Sequence, residues 1–249
     1  MSDLFVRLAR STRLALFETD YEEWQYASHG GTVFVVSYEN KPYGVTARHI
    51  AKDFPWTRLC ITNEKTGTQI AGLKALSYAS DLRKAARDTD IGDIAVIEFS
   101  DDIGVEFFGE DYFPLDTSTV VGSQAGDELT VYGALKEGLS IEDRTIRPTF
   151  AKLDFDDDGP RKYDPFLRTC SALWKSVGFS SIVGISGSPV FNNTRQGLAG
   201  VMLRGGVDEI GQAKGTYLDF DDVVRILMTI NAGASSADYV KVVEQTRRR

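Results

Sequence analysis

The run Gly184-Ile185-Ser186-Gly187-Ser188-Pro189 holds one serine between two glycines, followed at once by the apolar pair Val190-Phe191. A hydroxyl that acts as a nucleophile must stand on a tight turn, with two amide N–H groups aimed at the oxyanion that forms. Gly184 and Gly187 suit such a turn, because glycine adopts backbone angles that other residues avoid. A Gly-x-Ser-Gly turn is also an ordinary loop. Its meaning depends on whether the rest of the chain supplies a base and a carboxylate.

The chain has 249 residues, 42% of them hydrophobic, and a formal net charge of −8. That length supports one large β domain or two small ones. The acidic balance argues against nucleic acid as a partner, since phosphate contacts need a basic face. Cys60 and Cys170 lie far apart and match no metal spacing, so no disulfide framework is expected and the default location is a reducing cytoplasm. Arg7, Arg10 and Arg13 precede only a short apolar run, Leu14–Phe17, which does not make a signal peptide. No segment approaches the roughly 20 apolar residues of a membrane span, so no membrane partner is expected.

Four regions follow from the pattern. Residues 1–28 carry Leu4, Phe5 and Leu8 at roughly helical spacing and read as an N-terminal helix or arm. Residues 29–115 open on two β-rich runs, Thr32–Tyr38 and Tyr43–Ala47, joined by a turn at Glu39–Pro42. Further short strands are expected at Arg58–Thr62, Gln69–Leu76 and Ile94–Phe99. A break near Phe113–Ser123 leads into residues 116–232. There, strands are expected at Val120–Gly122, Leu129–Tyr132, Ile146–Leu153, Leu167–Ser176, Val190–Phe191, Leu198–Leu203 and Thr216–Leu218. Asp221 and Asp222 then open an apolar-faced helix. Residues 233–249 read as a tail, with a frayed basic tip at Arg247–Arg249. Many short strands between Gly, Asp and Asn turns indicate an all-β barrel or sandwich.

The chain has two histidines, His29 and His49, and His49 directly follows a strand in Val45-Thr46-Ala47-Arg48-His49. Asp93 opens the apolar strand Ile94-Ala95-Val96-Ile97. A carboxylate drawn towards a core is costly unless a partner holds its charge, and an imidazole N–H is such a partner. The order is then His49, Asp93, Ser186. Thr46-Ala47-Arg48-His49 resembles the Thr-Ala-x-His of trypsin/chymotrypsin-like serine peptidases. Asp93-Ile94-Ala95-Val96 resembles their Asp-Ile-Ala-Leu, and Gly184–Pro189 resembles their Gly-Asp-Ser-Gly-Gly-Pro. Gly197–Val201 and Gly215-Thr216-Tyr217 are similar to the segments that follow, so the likeness spans roughly residues 30–232.

The resemblance, to a bacterial and intracellular type of member, implies two antiparallel six-stranded β-barrels with the site between them. It implies a serine endopeptidase in which Ser186 attacks, His49 is the base and Asp93 orients it. The N–H groups of Gly184 and Ser186 would form the oxyanion hole. It implies no metal and no organic cofactor. The expected partners are a protein or peptide substrate and a regulatory protein. The alternative is a catalytically silent or tightly regulated relative that binds polypeptide in the cleft.

Three departures bear on this expectation. Ile185 stands where the family has an aspartate that, in trypsin, pairs with a new N-terminus freed by cleavage. The site is then either competent as made or governed otherwise. Ser188 replaces a glycine. Leu203 falls where the family often has a serine near the buried aspartate. By count Ser180 falls at the base of the substrate pocket, with Leu203, Arg204, Gly205 and Gly215 along its walls. Two glycines there imply an open, neutral pocket for an apolar or aromatic residue; Asp208 and Glu209 nearby would instead attract a basic one. Finally, Asp154-Phe155-Asp156-Asp157-Asp158-Gly159 matches the start of a calcium loop, but Pro165 stands where its closing glutamate belongs. A solvated acidic turn is the expectation.

Overall fold

The computed structural model describes residues 2–23, 25–28, 30–51, 54–64, 69–78, 93–142, 145–162, 164–173, 181–233 and 241–244. Helix α1 spans Asp3–Ser11: the Ser2 hydroxyl accepts from the Phe5 N–H, and Phe5 and Leu8 turn inward. Ser11 and Thr12 donate their hydroxyls to Leu8 O, where the chain leaves the helix. Eight strands follow in the first half: β1 (Thr12–Leu14), β2 (Leu16–Glu18), β3 (Tyr26–Ala27), β4 (Thr32–Tyr38), β5 (Lys41–Ala47), β6 (Leu59–Cys60), β7 (Leu73–Tyr78) and β8 (Ile94–Phe99). The β4–β5 turn carries positive φ at Glu39 and Asn40, the signature of the hairpin turn that matches strand twist. Strand β9 (Phe113–Pro114) pairs parallel with β4.

The second half holds β10 (Glu128–Glu142), β11 (Thr145–Arg161), β12 (Asp164–Leu173), β13 (Pro189–Asn192), β14 (Gly197–Val207) and β15 (Gln212–Asp219). Helix α2 (Asp221–Asn231) follows, and β16 (Lys241–Glu244) comes last. Strands β10 to β15 close into a six-stranded barrel in the order β10-β11-β12-β15-β14-β13. The first half is arranged differently. A sheet β1-β4-β5-β8-β7-β16, with β9 beside β4, stands apart from a three-stranded sheet β3-β2-β6. Ala15 separates β1 from β2 and sends its N–H to Gly31 O, so the chain passes there from one sheet to the other. Residues 233–249, expected as a tail, contribute β16, which pairs antiparallel with β7.

Strands β10 and β11 are longer than their patterns indicated, because register shifts let the ladder continue past interruptions. The acidic stretch at 154–159 is not a solvated turn. It lies within β11, where Leu153, Phe155 and Asp157 face inward while Asp154, Asp156 and Asp158 face out. Asp157 is buried because Arg168 Nη2 and the Tyr217 hydroxyl donate to its Oδ2, at 2.5 and 3.1 Å. A barrel core of Leu129, Val131, Ile182, Ile185, Met202 and neighbours fills the second half. A larger core joins β4, β5 and β8 to α2 and to Phe191, Leu198 and Leu203. No helix among the described residues is long and apolar enough to cross a membrane.

Candidate active site

The end of β5 and the start of β8 place His49 and Asp93 together. Ala47 is in register with Ile94, so the residues just beyond this pair, Arg48 and Asp93, meet where the ladder ends. Arg48 N–H donates to Asp93 O at 2.6 Å. The chain then turns into a short 3-10 helix, Arg48–Ala51, which swings His49 back over the aspartate. Both carboxylate oxygens are engaged. His49 N–H donates to Oδ1 at 2.9 Å, and His49 Nδ1 lies 2.6 Å from Oδ2. A carboxylate only accepts, so this contact puts a ring proton on Nδ1, and in the neutral imidazole the lone pair then lies on Nε2. The Asp93 side chain is 11% exposed and that of His49 is 39% exposed, which leaves the far edge of the ring open to a reactant. The Arg48 guanidinium stacks over the Tyr78 ring, 4.0 Å from its centroid.

The serine arrives on the loop between β12 and β13. Ile185 N–H donates to Ile182 O and Ser188 N–H to Ile185 O, which folds the loop into consecutive turns, and Gly187 N–H donates to Met202 O and ties them to β14. At Gly187 φ is +84°, and a Cβ there would collide with Thr32 O and Thr46 Oγ1 and stand 3.0 Å from Ala47 N. Only glycine allows that approach. It sets Ser186 beside the end of β5, two residues before His49. Gly184, at φ +110°, is likewise pressed against the backbone of Ala134–Lys136, where a Cβ would stand 2.7 Å from Lys136 N. The N–H groups of Gly184 and Ser186 have no acceptor among the described residues. Those are the two amides expected to form an oxyanion hole. Among the described residues the Ser186 hydroxyl makes no hydrogen bond to the His49 ring. The geometry therefore bonds two of the three expected residues and brings the third to the same end of β5.

Thr32 is a further member that the sequence pattern did not reveal. Its N–H donates to Ser186 O at 2.8 Å and its carbonyl accepts from Thr46 Oγ1 at 2.6 Å. Its hydroxyl accepts from Ala134 N–H and from Ser188 Oγ, and faces Gly184 O. One fully buried residue on β4, through its backbone and its hydroxyl, thus ties the serine loop to β5 and β10. Ser188, the departure from a glycine, is accounted for by its bond to Thr32.

The expected substrate pocket is altered by its neighbours. Ser180 lies outside the described residues. Leu203 is wholly buried in the shared core, and Arg204 is exposed. Gly205 and Gly215 face each other in register; Gly215 is buried and Gly205 half-buried, and the space a side chain would take at either is already occupied. A Cβ on Gly205 would stand 2.5 Å from Ile185 Cδ1 and 3.0 Å from Ile182 Cδ1. A Cβ on Gly215 would meet Cys170 Sγ and the Met202 thioether. Burial pushes the Cys170 thiol far up, so it stays protonated. Beyond the register shift after Met202, residues 204–207 of β14 pair with residues 213–216 of β15. No group of side chains among the described residues could hold a metal ion.

No family model matches the chain, and no curated protein matches it. Solved structures do. The scabies mite inactivated protease paralogue S-I1 is similar over 93% of this chain and 97% of its own, with a TM-score of 0.59 and 16% identity. Its paralogue S-D1 gives 94% and 97%, a TM-score of 0.57 and 12% identity. Mouse neuropsin, a serine protease expressed in the limbic system of the brain, gives 89% and 96%, a TM-score of 0.56 and 14% identity. At such identities the likeness concerns architecture alone, and the architecture is chymotrypsin-like.

Proposed function

We propose that the chain is a serine endopeptidase that cuts a protein or peptide through an acyl-enzyme. Ser186 Oγ attacks the scissile carbonyl carbon while His49 Nε2 takes its proton. The C–N bond breaks as His49 returns that proton to the leaving amine. A water molecule then repeats the sequence and releases the acid. Asp93 keeps His49 in the tautomer this needs and stabilises the imidazolium. The N–H groups of Gly184 and Ser186 hold the oxyanion.

The observation that carries this reading is the doubly bonded His49–Asp93 pair, at 2.6 and 2.9 Å, at the same end of β5 as the glycine-walled serine. A fluorophosphonate probe tests it. Ser186 should displace fluoride and become covalently phosphonylated, and Ser186→Ala should abolish labelling. A second reading, a silent polypeptide-binding relative, is favoured by the Ser186 hydroxyl, which has no hydrogen bond among the described residues, and two of the similar structures bear the name of inactivated paralogues. Catalytic hydrogen bonds in ligand-free sites are often long and tighten only on binding substrate, so the first reading stands ahead. Folded protein that stays unlabelled at high probe concentration would reverse that order.

A further inference from the structure

The Gly184 and Ser186 N–H groups, which have no acceptor among the described residues, flank a single side chain, that of Ile185. It is 1% exposed, although it sits between two residues that must meet a reactant. Its Cδ1 occupies the space above Gly205, next to Ile182, which is also fully buried. The backbone of the same residue joins both turns of the loop: Ile185 N–H donates to Ile182 O, and Ile185 O accepts from Ser188 N–H. On the other side, Val183 O accepts from Lys136 N–H, and Gly184 abuts the β10 backbone. The peptide planes of Gly184 and Ser186 are therefore held from both sides. Fixed barrel backbone lies on one side and one apolar side chain on the other. No charged group takes part in these contacts.

We propose that Ile185 is the positioning residue of the anion site: its side chain, seated against Gly205 and Ile182, fixes the direction of the Gly184 and Ser186 N–H groups. The inference rests on the function proposed above and supplies its missing regulation. The anion site is locked by apolar packing, so its assembly needs no partner charge. Gly205 is then glycine in order to admit the lock, rather than to leave room for a substrate side chain.

Two measurements on the full chain test this separately from the enzymatic reading. Amide resonances of Gly184 and Ser186 are followed in wild type, Ile185→Ala and Ile185→Val. The alanine variant should broaden or split both resonances, and the valine variant should restore single sharp ones. The fluorophosphonate labelling rate at saturating probe should fall about 10- to 100-fold in Ile185→Ala, in line with loss of oriented oxyanion donors, and recover to within about threefold in Ile185→Val. Should the alanine variant fail to fold, Gly205→Ala intrudes on the same seat and should disturb the same two amides. Unchanged amide resonances in a folded variant with an emptied or crowded seat would overturn the lock. Wild type that never labels would sink the endopeptidase reading alone, because the resonances still report on the lock.

Discussion

At Asp93 a single carboxylate does two things that no other acceptor could combine. Oδ1 takes the His49 backbone N–H and so anchors the turn, while Oδ2 takes the ring Nδ1 and so selects the tautomer. Asp93→Asn should keep the first bond and spoil the second, because an amide presents a donor where the ring also donates. Labelling by the fluorophosphonate should fall about 10⁴-fold, with folding intact by circular dichroism. Near-wild-type labelling would show that the pair is structural. Asp219 makes the opposite case. Burial first, with Asp221, Asp157 and Asp222 nearby, lifts its carboxyl to about 6 against the pull of Arg168, and its Oδ1 is buried without a hydrogen-bond partner. An acid raised in the native state binds more protons there than when unfolded, so stability declines as pH rises from about 3.8 to about 6. Asp219→Asn should stabilise the protein at pH 7–8 by about 1 kcal/mol, after allowing for screening of a side chain that is 39% exposed. The gain should vanish near pH 4 in urea titrations. A gain that is constant with pH would mean that ionisation of Asp219 is not its source.

Among the elements, those with a local cause were legible. An aspartate opening an apolar strand announced a buried charge with a partner, and β8 begins one residue after it. The β4–β5 hairpin and α2 matched their patterns for the same reason, since turn residues and apolar spacing act within a few positions. The second half of β11, past Leu153, was not legible, because its cause is distant. Asp and Gly suggest a turn, and only Arg168 on β12 and Tyr217 on β15 make Asp157 an inward residue. Thr32 was hidden likewise: nothing near it in the chain signals the serine loop 152 residues on. This view of β11 has a measurable consequence. Asp157→Ala leaves the Arg168 guanidinium, 8% exposed, without its buried partner, and should cost about 3–5 kcal/mol in urea unfolding. Replacing both, Asp157→Leu with Arg168→Met, should cost clearly less. A small penalty for the single change would mean that water reaches Arg168.

At the scale of the whole molecule, the proposed chemistry divides between the halves. The base and its carboxylate sit just past the end of β5 and just before the start of β8, while the serine sits on a loop of the closed barrel. Two hydrogen-bonding systems that met only at a polar cleft would unfold independently and would let these groups drift apart. The core argues otherwise. Phe34, Val45 and Ile97 of the first sheet belong to one apolar cluster with Leu198, Val201 and Leu203 of the barrel. The Phe220 ring at the start of α2 lies 6.1 Å from that of Phe34. Strand β16 then returns to pair with β7, so the chain crosses from the first half to the second and back. Neither half can expose its apolar face without exposing part of the other's. Calorimetry should therefore record one unfolding transition, with calorimetric and van't Hoff enthalpies in agreement despite a length at which independent units are common. Phe220→Ala, which empties the shared core, should lower the whole transition by about 3–5 kcal/mol of stability rather than split it. Two resolved peaks in the wild type would show that the halves are held together only at the cleft, and the register between His49 and Ser186 would then need another source.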